Sequence, residues 1–173
     1  VAAVMEIAGV AAGYEFEAAE ASFELLIRKH LGQHVPFFEL LEFHSTHRRT
    51  GDKGLETCEA TVKLTIDGER VYTVDEGDGP VNALDKALRK ALTPTYPEIA
   101  DVVLQDYKVR IIDGAAGTEA RTRVLITSTD GHTSWSTVGV SFNIIDASWE
   151  ALVNSFEHYL MRKRQAGPGS SPG

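Results

Sequence analysis

The sequence predicts an α+β fold: a duplicated βββα unit with pseudo-twofold symmetry, preceded by a linker helix. Three observations carry that reading. An alternating strand that ends in Asp-Gly occurs twice, as Thr61-Val-Lys-Leu-Thr-Ile-Asp-Gly68 and as Val124-Leu-Ile-Thr-Ser-Thr-Asp-Gly131. Each is followed by a strand with an aromatic near its start, Tyr72 and Trp135, and then by a glycine-containing turn, Gly77/Gly79 and Gly139. Each turn opens a helix of related apolar spacing. The separation is 63 residues at the Asp-Gly pairs (131 − 68) and 65 at the helices (149 − 84), which implies about two inserted residues. A repeat this long that occurs only twice is a duplicated unit and not a solenoid. A pseudo-twofold axis would bring the two glycine turns together into one symmetric pocket.

Taken in order, Tyr14–Leu31 reads as a helix with Phe16, Ala19, Phe23, Leu26, Ile27 and His30 on one face, acids in its first turns and bases in its last. Gly32 stops it. Phe37–Arg48 reads as a strand, Thr50–Gly54 as a turn, and Glu56–Ile66 and Arg70–Glu76 as strands joined by the hairpin turn Asp67-Gly68. The helix Gly79–Leu92 carries Leu84, Ala87, Leu88 and Ala91 on one face and is closed by Pro94 and Pro97. The second copy has strands at Val102–Ile112, Ala120–Thr129 and Ser134–Ser141, a loop at Asp113–Gly117, and a helix at Asp146–Arg164. Ala166–Gly173, rich in Gly, Pro and Ser, reads as a disordered tail.

Composition narrows the function. The 173 residues are 43% hydrophobic and 24% charged, as in a soluble globular domain. A formal charge of −8 argues against a nucleic-acid partner, including the double-stranded RNA reading that the α-β-β-β-α order invites. No apolar run approaches the roughly 18 residues of a membrane span. The lone Cys58 excludes an internal disulfide framework, and the cytoplasm is the expected location.

Catalytic and metal motifs fail one by one. His44 and His47 on a strand would lie on opposite faces or on a bend, a poor chelate. Cys58 lies in an alternating strand without a histidine partner, and Ser134 and Ser141 have no nucleophile-elbow context. Asp75, Glu76 and Asp78 form a solvated acidic rim. Gly77-Asp-Gly79 lacks both the remaining dinucleotide glycine and the Lys-Ser/Thr of a P-loop. What survives is the turn Gly77-Asp-Gly-Pro80, where glycines free the backbone and the first N–H groups of a helix can hold a phosphate or a carboxylate.

Two motifs in order, Asp75-Glu-Gly-Asp-Gly-Pro-Val-Asn-Ala-Leu84 and Gly139-Val-Ser-Phe-Asn-Ile-Ile-Asp-Ala-Ser-Trp-Glu-Ala-Leu152, resemble the C-terminal regulatory (allosteric, dimerisation) domain of the 2-isopropylmalate synthase family. Gly13-Tyr-Glu-Phe-Glu-Ala-Ala-Glu-Ala-Ser-Phe-Glu-Leu-Leu26 resembles the helix before that domain in the (R)-citramalate synthase branch. The resemblance covers about residues 13 to 164. It implies a linker segment at 1–35 from an upstream catalytic part, and a regulatory domain at 36–165 with copies at 37–97 and 102–164. The parent would be an acyltransferase joining acetyl-CoA to a 2-oxo acid on a metal-dependent barrel. The fragment itself would have no synthase activity and no cofactor, since acetyl-CoA and the divalent metal belong to the catalytic part.

The same resemblance implies that the partners are a branched-chain amino acid effector and a second copy in a homodimer. The effector is isoleucine in the citramalate branch and leucine in the isopropylmalate branch. Its carried-over pocket comprises Gly79, Val81, Asn82 and Ala83 from the first turn, Ser141, Asn143, Ile144 and Ile145 from the second, and Leu104, Tyr107 and Ile111 from the strand between them. Asn82 and Asn143 with turn N–H groups would hold the polar end; Leu104, Ile111 and Ile145 would form the apolar slot. Leu104, Tyr107 and Ile111 are spaced by 3 and 4, so a bulge or bend is needed to bring them to one face. Phe142 departs from the polar residue expected at that turn. The alternative is a dimerisation module without a ligand.

Overall fold

The computed structural model describes residues 18–51, 54, 56–112 and 120–167. Helix α1 (Glu20–His30) precedes strands β1 (Glu39–Arg49), β2 (Glu56–Ile66) and β3 (Glu69–Gly77) and helix α2 (Pro80–Leu92). After a 3-10 turn at Pro97–Asp101, β4 (Val103–Ile112), β5 (Arg121–Thr129) and β6 (Ser134–Ser141) lead into α3 (Ile144–Ala166). Each trio forms its own antiparallel sheet, in the orders β1-β2-β3 and β4-β5-β6. The α+β class and the duplicated βββα unit are thus both present. Residues 36–100 form one compact unit, and 18–35 with 101–167 form the other.

The two units repeat at one constant displacement. A bulge between Leu40 and Glu42 in β1 recurs between Leu104 and Asp106 in β4. Thr73 Oγ1 donates to the carbonyl of Ala87 (2.7 Å), and Thr137 Oγ1 to that of Ala151 (2.8 Å). The first helical N–H bonds run from Ala83 to Gly79 and from Ala147 to Asn143. All lie 64 residues apart (104 − 40, 137 − 73, 147 − 83). The expected two-residue insertion is therefore absent. The Asp-Gly pairs misled because they sit one position apart within their turns.

In the first unit Asp67 and Gly68 are the whole turn, at φ 50° and 80°, closing the Ile66–Glu69 pair. Positive φ at both central residues is what a two-residue hairpin of this hand requires. In the second, Asp130 opens a longer turn, and its carboxylate accepts from the N–H groups of His132 (3.0 Å) and Thr133 (2.8 Å). The true counterpart of Trp135 is consequently Val71, not Tyr72 (135 − 71 = 64).

Strand alternation builds both cores. Cys58, Ala60, Val62, Leu64 and Ile66 of β2 are buried beneath Leu84, Ala87, Leu88 and Ala91 of α2, the stripe read from the sequence. Val124, Ile126 and Ser128 of β5 are likewise buried beneath Ala147, Ala151, Leu152 and Ser155 of α3. In the second core Ser155 Oγ accepts from Trp135 Nε1 (3.0 Å) and pairs with Ser128 Oγ (2.7 Å), so the polar groups are satisfied.

Helix α1 departs from its expected face. Its upstream portion and Phe16 lie outside the described residues. Ala19 is buried as expected, but Phe23, Leu26 and Ile27 are half-buried and His30 is exposed, while Ala21, Ser22 and Leu25 point inward. The reason is what the helix packs on. It lies against β6 and α3, and β6 is a sheet edge with outward amides. Glu20 Oε1 accepts from Ser136 N–H (3.2 Å) and Ser22 Oγ from Val138 N–H (2.9 Å). Small and polar residues allow that approach, and the edge is covered.

Candidate functional site

The second unit builds a groove from β4 and the start of α3. The bulge leaves Gln105 without a cross-strand partner, so Leu104 faces Ser128, Tyr107 faces Ile126 and Ile111 faces Thr122. Those partners alternate strictly along β5, so Leu104, Tyr107 and Ile111 share a face despite their 3 and 4 spacing. Val109, opposite Val124, joins them, a residue the sequence reading missed because the bulge position was not fixed. The face is the one α3 covers, but α3 packs on β5 and β6 and leaves β4 largely bare. Ile111 is 72% exposed and Val109 39%.

The turn beside this face is held by its own side chains. Ile111, Thr122 and Ser141 form one row across the sheet. Ser141 Oγ accepts from Asn143 N–H (3.2 Å), and Asn143 Oδ1 accepts from Ile145 N–H (2.8 Å), an N-cap for α3. The helix therefore begins at Ile144, two residues before the expected start. Tyr107 Oη reaches Ser148 Oγ (2.8 Å), and Ser148 donates to the carbonyl of Ile144 (2.6 Å). One strand residue thereby fixes the groove wall. Ile144 and Asn143 are exposed, Ile145 and Ser141 half-buried, and Phe142 is 71% exposed at the tip. Leu104 lies at the opposite end of β4, in the Ser128–Trp135 row and roughly 20 Å along the strand from Ile111. Tyr107 lies between them, nearer Leu104, and Val109 follows before Ile111.

The first unit repeats the backbone with other chemistry. Gly79 is the N-cap of α2 and offers no side chain, and Pro80 follows at the first helical position. Asn82 uses its Oδ1 on Asp78 N–H (3.2 Å), steadying the turn. Ala83 is fully buried, so its side chain cannot line a surface site. Val81 is half-buried and Asn82 exposed. Neither Gly77 nor Gly79 has a positive φ, the latter being extended at −161°. Gly77 serves close approach instead: a Cβ there would stand 2.5 Å from Ala83 N and 2.7 Å from Asn82 Oδ1. Gly139 does so more severely, with Ala147 O at 2.0 Å. The floor corresponding to Tyr107, Val109 and Ile111 is Phe43, Ser45 and His47, facing Val62, Ala60 and Cys58. His44, opposite Thr61, is on the other face of β1 from His47. Among the described residues no His/Cys/Asp/Glu group has metal-binding geometry.

A family model described as the LeuA allosteric (dimerisation) domain matches residues 17–160. The chain belongs to that family. It is 50% identical over 155 residues to an (R)-citramalate synthase of Aquifex aeolicus, covering 90% of this chain and 29% of that protein. It is 52% identical over 152 residues to an (R)-citramalate synthase of Synechocystis sp., covering 86% and 28%, and 49% identical over 152 residues to one of Streptomyces coelicolor, covering 87% and 28%. The chain of this LeuA-type domain thus spans under a third of the length of the curated relatives it matches. Among its described residues no helix is long and apolar enough to cross a membrane.

Proposed function

We propose that this LeuA-type domain is the regulatory part of a cytoplasmic, acetyl-CoA-dependent citramalate or 2-isopropylmalate synthase. It binds the end-product branched-chain amino acid, isoleucine ahead of leucine, for feedback inhibition, and it mediates dimerisation. The observation that supports the ligand most directly is the β4 bulge. It turns Leu104, Tyr107 and Ile111 to one face, and the cross-strand rows set Ile111 beside the turn Ser141–Ile145. A branched aliphatic side chain matches an apolar floor of Tyr107, Val109 and Ile111. The relatives named as citramalate synthases favour isoleucine through the resemblance of the branch. In the second-unit groove the amide group of Asn143 is suited to the polar end of a zwitterion, and in the first unit Asn82 and the uncapped first turn of α2 are the corresponding groups. Inhibition at a distance further requires that the ligand bind two states of the whole enzyme unequally. The exposed Phe142, with the edges of Val109 and Ile111 that a ligand would leave uncovered, supports the dimerisation reading, since such apolar surface suits a second copy.

Isothermal titration of the purified domain with isoleucine, and then leucine, tests the reading. Heat with isoleucine and weaker or no heat with leucine is expected. The reverse order would make it an isopropylmalate-type sensor. Silence with both from a folded dimer would leave only the dimerisation module.

A further inference from the structure

Two consecutive α3 residues reach toward the N-terminal segment through opposite chemistry. His158 Nε2 lies 3.0 Å from Glu24 Oε2 in α1, and Glu157 Oε2 lies 3.0 Å from Nε2 of His34, just beyond α1. The side chains of His34, Glu157 and His158 are all under a tenth exposed. Glu24 also accepts from Arg28 Nε (3.0 Å) and Nη2 (2.9 Å) on its other oxygen. The two crossed pairs hold the middle of α1 and the chain just beyond it, while the start of α1, through Glu20 and Ser22, covers the β6 edge.

We propose that the crossed pairs Glu24–His158 and Glu157–His34 form a proton-sensitive latch, which holds α1 on the second unit at neutral pH and loosens it in mild acid, uncovering the β6 edge. With Nε2–H donated to Glu24, His158 Nδ1 is a lone pair in a buried position that has no hydrogen-bond partner. A second proton would put an N–H there without an acceptor. The Trp135 ring of β6 closes one side of the imidazole, with centroids 6.3 Å apart. Of the charged neighbours, Glu24 and Glu20 of α1 favour the imidazolium and Arg162 of α3 opposes it. Burial is the largest effect and sets the balance below the ordinary histidine value of 6.5. His34 goes the same way, through burial and the charges of Lys29 and Arg28, with Glu157 its facing acid. Burial works against ionised Glu24, yet the Arg28 and His158 hydrogen bonds hold its carboxyl below the usual range.

The sign follows from linkage. A histidine depressed in the docked state takes up a proton on release, so docking is complete above the ordinary histidine value and weakens as pH falls through it. Hydrogen exchange at the Val138 and Ser136 amides, corrected for the intrinsic pH dependence, reads the latch directly. Between about pH 7.5 and 5.5 their protection is expected to fall about fivefold or more, with Ile126 in the middle of β5 unchanged. His158→Gln keeps a donor toward Glu24 but cannot titrate, and should flatten most of that response. Glu24→Gln should lower Val138 protection already at the higher pH. A flat wild-type profile, a His158→Gln profile that still falls as steeply, or loss at Ile126 in parallel with Val138 would each overturn the latch.

Discussion

The two βββα units share a backbone and differ in the chemistry placed on it. Where the second buries Trp135, Ser155 and Ser128 as a hydrogen-bonded trio, the first has Val71, Ala91 and Leu64. Where the second joins Tyr107 to Ser148, the first has Phe43 and Leu84. Each substitution is made as a set, polar with polar and apolar with apolar, as an interior with low tolerance for unpaired groups demands. The sheet margins follow the same rule. The helix position that carries Lys86 in the first unit reaches the carbonyl of Glu76 (3.2 Å); its counterpart Glu150 accepts from Val140 N–H (2.9 Å). One edge is thus sealed at its acceptors and the other at its donors. The comparison teaches that geometry was retained position by position, whereas hydrogen-bond polarity was free to invert.

Substitution at the glycines should break the comparison most. Gly139→Ala drives a Cβ to 2.0 Å from Ala147 O, a backbone atom that cannot step aside. We expect it to cost about 3 kcal/mol or more, at the upper end of overpacking effects. Gly77→Ala should cost less, because one of its close atoms is a side-chain oxygen, Asn82 Oδ1. At Gly79 nothing stands within 4 Å, so Gly79→Ala should cost only the roughly 0.5 kcal/mol that separates glycine from alanine at an N-cap. Urea midpoints of the three variants give the order, and equal values would refute the close-approach argument. Next in size, Asn143→Ala removes the cap of α3 and should cost about 1 kcal/mol, while Asn82→Ala, whose position is not a cap, should cost a few tenths. The smallest contrast is Thr73→Val against Thr137→Val. Both lose a bond to a helix carbonyl worth about 1 kcal/mol, and the fully buried Thr137 should lose slightly more. Thermal melts at matched pH would detect a reversal.

Much of this was legible in the sequence because alternation and helical spacing report burial directly. β2 and β6 were read with their observed bounds, and α2 to within one residue at its start. The need for a bulge was legible from the 3 and 4 spacing of Leu104, Tyr107 and Ile111, and β4 has one. Its position was not, since Gln105 resembles any exposed strand residue; Val109 was missed for that reason. The repeat displacement was misread because Asp-Gly marks a turn without fixing where in the turn it falls. The face of α1 was misread for a different reason. Apolar spacing identifies a helix packing on a hydrophobic surface, and α1 instead meets a strand edge, whose needs are hydrogen bonds supplied by Glu20 and Ser22. The first-unit floor of Phe43, Ser45 and His47 became visible only through strand register.

The bulge at Gln105 also decides how β4 would respond to a change in length. One residue removed there would restore strict alternation and leave every remaining pair, and so both faces of the strand, as they are. With Leu104 still opposite Ser128, Tyr107, Val109 and Ile111 would stay opposite Ile126, Val124 and Thr122, and Lys108 and Arg110 would stay on the other face. A one-codon deletion at the bulge would thus shorten the strand and keep its oily floor. The same holds for Leu41 in β1, so each half of the molecule carries a bulge position at which the chain can lose a residue and keep the face it presents.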